Sequence, residues 1–199
     1  MMKRCLITMY FAILAVSAAL AQANKAVPPP PKPADDGPSL EATMKFVQDK
    51  INGQGAITYH VTFDGGDFDW IQQPTVSADP GTCRLKGSER AEADRRWDKM
   101  ARTYTYAFSF QDVKQISVED YTAWRNHLDG TGATTAPPVF VLLLSAELAA
   151  FNKKVKGKDE KVRELTFFFV DEDMANRVAK AMLHGVELCG GGGSKPEPF

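Results

Sequence analysis

Two cysteines constrain this chain more than any other pair of residues. Of the three present, Cys5 lies in an N-terminal segment that reads as removable, which leaves Cys83 and Cys189 bracketing most of the remaining chain. An even pair reads as a disulfide in an oxidising compartment, whereas in cytosol it reads as two buried thiols. Joined, the two would close a loop of about 107 residues, worth about 4 to 5 kcal/mol in the chain-entropy picture. A redox role is not expected, because the chain has no Cys-x-x-Cys spacing to lower a thiol pKa.

The compartment is read from the first residues. Lys3 and Arg4 precede an apolar run from Leu6 to Leu20, and small residues stand at Ala19, Ala21 and Ala23. These are the parts of an export signal, with cleavage expected after Ala21 or, second, after Ala23. The run is about 15 residues, short of the roughly 20 that span a bilayer as a helix. Cys5 precedes the run, so it leaves with the signal and is not the acylated cysteine of a lipoprotein. The expected location is secreted or periplasmic, with no stable membrane insertion after cleavage. The formal net charge of −1 becomes two units more negative when Lys3 and Arg4 depart, which excludes an electrostatic case for nucleic-acid binding.

Composition then divides the chain. Residues 1–21 are signal. Residues 22–38 contain VPPPPKPADDGP, an extended spacer unable to bury a core. Residues 39–189 make one globular domain, and residues 190–199, GGGGSKPEPF, are a flexible tail.

Within the domain, Leu40, Met44, Val47 and Ile51 fall on one helical face, with Ser39 as N-cap and Gly53 beyond its end. Ala56 to Phe63 alternates as a half-buried strand, with His60 on its polar side. Asp64 to Trp70 is expected to be a turn-rich loop. A second strand region runs from Thr75 to Gly87, interrupted around Pro80. The charged stretch from Glu89 to Arg102 fits either a short surface helix or a hairpin arm. Tyr104, Tyr106, Phe108 and Phe110 alternate on one face of a strand, which is expected to form a hairpin with Val113 to Asp120. A loop is expected from Trp124 to Ala136. The apolar runs from Pro138 and from Leu165 to Val170 read as strands covered on both faces, with the first and last helices as candidate covers. Asp171 to Cys189 reads as an amphipathic helix capped by Asp171, with Arg177, Lys180, His184 and Glu187 on its polar stripe.

The class is therefore α+β: six to seven antiparallel strands with an N-terminal helix and a C-terminal amphipathic helix. FSFQDVKQISVED and VRELTFFFVDEDMANRVAKAM resemble the middle hairpin and the final strand-plus-helix of a pleckstrin-homology-like β-barrel, over residues 56–189 and as in a bacterial secreted protein of that fold. The resemblance rests on element order. A phosphoinositide-binding member would carry bases after the first strand, where this chain has Asp64, Asp67 and Asp69, so no phosphoinositide ligand is expected.

Chemistry is sparse. His60, His127 and His184 show no metal-ligand spacing and read as a polar strand position, a turn and a helix stripe. Asp64, Asp67 and Asp69 are a weak candidate for a hard cation, without the spacing of an EF-hand loop. No nucleophile elbow or phosphate-binding glycine loop appears, and no cofactor is implied. Trp70, Trp97 and Trp124 are placed in loops or a surface arm as a candidate partner-binding rim. Tyr104, Tyr106, Phe108 and Phe110 are the candidate ligand face. The expected function is an exported non-enzymatic binding or structural module for an unknown protein partner. The alternatives are a carrier of a small apolar molecule or lipid in a partly open barrel, and a hydrolase whose residues, such as His60 or His127 with an aspartate, converge only in three dimensions.

Overall fold

Period-two alternation governs most of the chain. The computed structural model describes residues 37–95 and 98–191, without the side chains of residues 95–99. The signal segment, nearly all of the spacer, Trp97 and the tail beyond residue 191 lie outside the described residues.

Ser39 caps α1 (Leu40–Gly53) by accepting a hydrogen bond from the Ala42 amide at 3.2 Å. Its apolar stripe, Met44, Val47 and Ile51, is fully buried. Strand β1 (Ile57–Phe63) pairs with β2 (Gly66–Asp79) from Ile57↔Gln72 to Phe63↔Gly66. The expected loop from Asp64 to Trp70 is therefore a two-residue turn, Asp64–Gly65, and Trp70 belongs to β2. A single 3-10 turn, Pro80–Thr82, leads into β3 (Arg84–Arg95), which pairs along its length with β4 (Asp98–Ser109). The charged stretch from Glu89 to Arg102 is thus the two arms of a hairpin.

After a 3-10 turn at Phe110–Asp112, β5 (Gln115–Asp120) does not fold back on β4 as expected. It pairs with β7 (Phe140–Ser145), whose other neighbour is β10 (Glu164–Phe169). The ladder position that β5 was expected to take on β4 is filled by β8 (Phe151–Val155), followed by β9 (Lys158–Val162). The expected loop from Trp124 to Ala136 holds the end of α2 (Tyr121–Asp129) and the short strand β6 (Thr134–Ala136). Finally α3 (Glu172–Leu188) starts where Asp171 accepts from the Met174 amide at 3.2 Å.

The strands form two antiparallel sheets, one in the order β6-β1-β2-β3-β4-β8-β9 and one in the order β10-β7-β5. The α+β class stands, with ten strands among the described residues rather than six or seven. The sheets do not close into a barrel.

The smaller sheet is buried on both faces, as its uninterrupted apolar runs require. Leu142, Leu144, Leu165, Phe167 and Phe169 join a core built with α1 and α3. Val139, Val141 and Phe168 point the other way into a second cluster with Ile57, Tyr59, Val61 and Tyr121. The second cover is therefore β1 and α2, not a terminal helix.

Cys83 and Cys189 form a disulfide with Cα atoms 5.9 Å apart. It ties the turn between β2 and β3 to the end of α3, on the side of the first core. Such a bond persists in an oxidising compartment. Among the described residues no helix is long and apolar enough to cross a membrane.

Candidate ligand-binding cavity

The inward face of β3 runs Leu85, Gly87, Glu89, Ala91, Ala93, and four of these are smaller than their neighbours or polar. Ladder register sets each between larger residues. Trp70, Ala93 and Met100 form one row across β2, β3 and β4, while Gln72, Ala91 and Arg102 form the next. Short side chains between long ones leave the sheet concave. At Gly87 an added Cβ would lie 2.5 Å from the Tyr106 ring, which folds across this position.

Above the hollow, Tyr121, Trp124 and Arg125 lie at i, i+3 and i+4 on α2 and so share a face. Asp120 fixes the start of that helix by accepting from the Ala123 amide at 2.8 Å. Gly130 closes it in the left-handed region at φ 68°.

Between floor and roof is a chamber of about 540 Å³, walled mainly by Tyr59, Phe63, Phe68, Trp70, Tyr121, Trp124 and Phe168. The rings pack edge to face around it: Phe68 and Trp70 have centroids 5.7 Å apart, Tyr121 and Trp124 5.4 Å, and Trp124 and Phe168 5.5 Å. A smaller chamber of about 230 Å³ shares Trp70, Gln72, Trp124 and Phe168 with it and extends to Glu89, Tyr104, Tyr106 and Lys153.

A polar line crosses the shared wall. The Tyr59 hydroxyl donates to Gln72 Oε1 at 3.1 Å, and Gln72 Nε2 donates to Glu89 Oε1 at 3.1 Å. Burial pushes the Glu89 carboxyl up to about 7, against the opposing pull of Lys153 and the Gln72 hydrogen bond. Burial also raises the Tyr59, Tyr106 and Tyr121 hydroxyls above the ordinary tyrosine value.

Several buried polar atoms at this site have no hydrogen-bond partner among the described residues: Trp70 Nε1, Arg102 Nε, Arg125 Nε and the Tyr106 hydroxyl. All four belong to residues lining one chamber or the other. A folded protein pairs nearly all such groups, and here the exceptions gather in residues around one cavity.

The sequence candidates divide around this site. Trp70 and Trp124, expected in loops, stand on β2 and α2 and form a wall common to both chambers. Of the expected ligand face, Tyr104 and Tyr106 line the smaller chamber, with Lys153 Nζ 5.1 Å from the Tyr104 centroid. Phe108 and Phe110 are buried in the first core, and Phe110 has left the strand for a 3-10 turn. Tyr59, Gln72, Glu89, Arg102, Tyr121 and Arg125 were not singled out from sequence. Alternation in β1 and β2 marks the first two, and the Asp120 cap with its i, i+3, i+4 trio marks the last two.

The histidines lie elsewhere. His60 Nδ1 is 2.9 Å from Asp69 and its Nε2 is 3.5 Å from Asp67. The Asp69 hydrogen bond, aided by Asp67, raises the imidazole above its ordinary value. Among the described residues no three His, Cys, Asp or Glu side chains are disposed to hold one metal ion. His127, expected in a turn, is on the last turn of α2 with Nδ1 3.1 Å from Glu119, in a cleft also lined by Asp120 and Glu172. Among the described residues no serine, threonine or cysteine lines that cleft. His184 Nε2 donates to the Pro38 carbonyl at 2.9 Å, tying α3 to the residue preceding the α1 cap.

Comparison of the chain with known protein families, curated proteins and solved structures gives no match.

Proposed function

We propose that this domain is an exported binding protein that holds a small, largely apolar molecule between its two sheets. The observation carrying this reading is the aromatic-walled chamber of about 540 Å³, within the size range that buries a drug-sized ligand. Its shape comes from paired features, small residues on β3 and large rings on β2 and α2. Export rests on the signal-like residues 1–21 together with the Cys83–Cys189 disulfide.

The carrier reading takes precedence over a partner-binding rim because Trp70 and Trp124 wall a concave cavity and do not stand on a convex rim. It takes precedence over hydrolysis because the His127–Glu119 pair has no nucleophilic side chain beside it. A pleckstrin-homology-like ancestry is supported by the antiparallel strands ending in an amphipathic helix, while ten strands in two open sheets weigh against it.

Titration with the neutral fluorophore N-phenyl-1-naphthylamine tests the proposal. Saturable binding of one probe per chain, with quenching of tryptophan emission, is expected. Fluorescence that rises without saturation, or saturates without affecting tryptophan, overturns it.

A further inference from the structure

The larger chamber has a charge signature that its apolar walls do not explain. Arg102 and Arg125 both line it, and among the described side chains no aspartate or glutamate does. Arg125 is bonded to Asp129 through one terminal guanidinium nitrogen, and its Nε is buried without a partner. Arg102 has no carboxylate within ion-pair distance among the described residues, and its Nε is likewise buried and unpartnered. Trp70 Nε1 is a third buried donor without a partner among the described residues. An indole or guanidinium nitrogen donates and never accepts. A purely hydrocarbon occupant would leave all of these donors unmet, at the cost that attends every buried unpaired group.

From these donors we infer that the chamber takes an amphipathic organic anion, a flat aromatic or polycyclic body bearing a carboxylate or sulfonate. This assignment rests on the cavity reading above and adds the charge of the ligand to it. The rings of Trp124, Phe68 and Phe168 stack on or edge against the flat body. Arg102, Arg125 and Trp70 then donate to the anionic group through charge-assisted hydrogen bonds, which are stronger than neutral ones. The smaller chamber differs, because two carboxyl groups, Glu89 and Glu164, line it against the single base Lys153. The anion is therefore held at the arginine end.

Two probes with the same N-phenylnaphthylamine body separate charge from shape: 1-anilinonaphthalene-8-sulfonate and the neutral N-phenyl-1-naphthylamine. The intact protein is expected to bind the sulfonate at least about tenfold more tightly. Arg102→Gln should erase that preference by weakening the sulfonate far more than the neutral probe. Arg102→Lys, which keeps the charge but loses the fork, should retain part of it. Unfolding midpoints of all variants establish that each is folded. If Arg102→Gln does not fold, the contrast between Arg102→Lys and the parent decides. Equal binding of the two probes overturns the anion assignment while the cavity reading stands. A preference unchanged by both Arg102 substitutions also overturns it. Failure of both probes to bind overturns the cavity reading, and this inference with it.

Discussion

The two apolar clusters of this domain are built on opposite principles. The first, under α1 and α3, is closed: Met44, Ile51, Leu142, Phe151, Phe169 and Met182 are all fully buried. Helices cover it and the Cys83–Cys189 disulfide ties down its border. The second, between β1, β2 and α2, is aromatic and incompletely filled, with Phe63, Phe68, Trp70 and Trp124 only partly buried. Rings meet edge to face in both, Phe108 with Phe110 and Phe151 in the first and Phe68 with Trp70 in the second, but only in the first do helix side chains such as Met44 and Met182 complete the packing. The closed end supplies stability, and the open end spends some of it on space and on unpaired donors.

The largest expected effect lies in the closed core. Phe169→Ala should destabilise the protein by about 3 to 5 kcal/mol in urea unfolding, since its ring is enclosed and the hole cannot collapse. It should leave the affinity of the folded fraction for N-phenyl-1-naphthylamine nearly unchanged. A loss below about 1 kcal/mol would mean that the two ends do not divide the work in this way.

The same contrast explains what was legible in the sequence. The closed end announced itself, because α1 and α3 have regular apolar stripes with side-chain caps, and the two cysteines are the pair left outside the signal-like segment. The open end did not. Glu89 to Arg102 reads as charged because Arg90, Glu92 and Asp94 alternate with Ala91 and Ala93, alanines too small to register as a buried face. Yet those alanines make the hollow. Helix α2 was missed because YTAWRNHLD has few apolar residues, one of which, Leu128, is exposed. The transfer of β5 to the smaller sheet depends on pairing with residues far along the chain, which no local pattern reports. The orphaned donors on Arg102 and Arg125 emerge only from the packing around them.

Between the two ends lies Glu89, and pH should expose its cost. Its carboxyl ionises near 7 in the folded protein, but at its ordinary lower value once unfolded. Between those values the folded state holds a proton that the unfolded state has released. Stability from this group is thus complete below the ordinary carboxylate range and is lost as pH rises through about 7. The full swing is on the order of 3 kcal/mol. Glu89→Gln should flatten it, making the variant more stable than the parent at pH 8 and nearly equal to it at pH 4, by urea midpoints. Parallel profiles for the two proteins would show that Glu89 is solvated, and that the shared wall is wetter than its packing implies.

The smallest change in stability is expected where function is concentrated. Trp124 is half-buried and touches Tyr121 and Phe168 edge to face, with the Arg125 guanidinium 5.8 Å from its ring centroid. Trp124→Leu keeps an apolar group on α2 and removes a ring that borders existing space, so it should destabilise by only about 1 kcal/mol. It should also weaken binding of N-phenyl-1-naphthylamine more than tenfold, because both chambers lose their common wall. Placing this variant beside Phe169→Ala gives opposite signatures, one heavy on stability and light on binding, the other the reverse. If Trp124→Leu instead unfolds the protein as Phe169→Ala does, the aromatic cluster is a second structural core. The rings would then be packed for stability, and the space among them would be a by-product of their shape rather than room kept for a ligand.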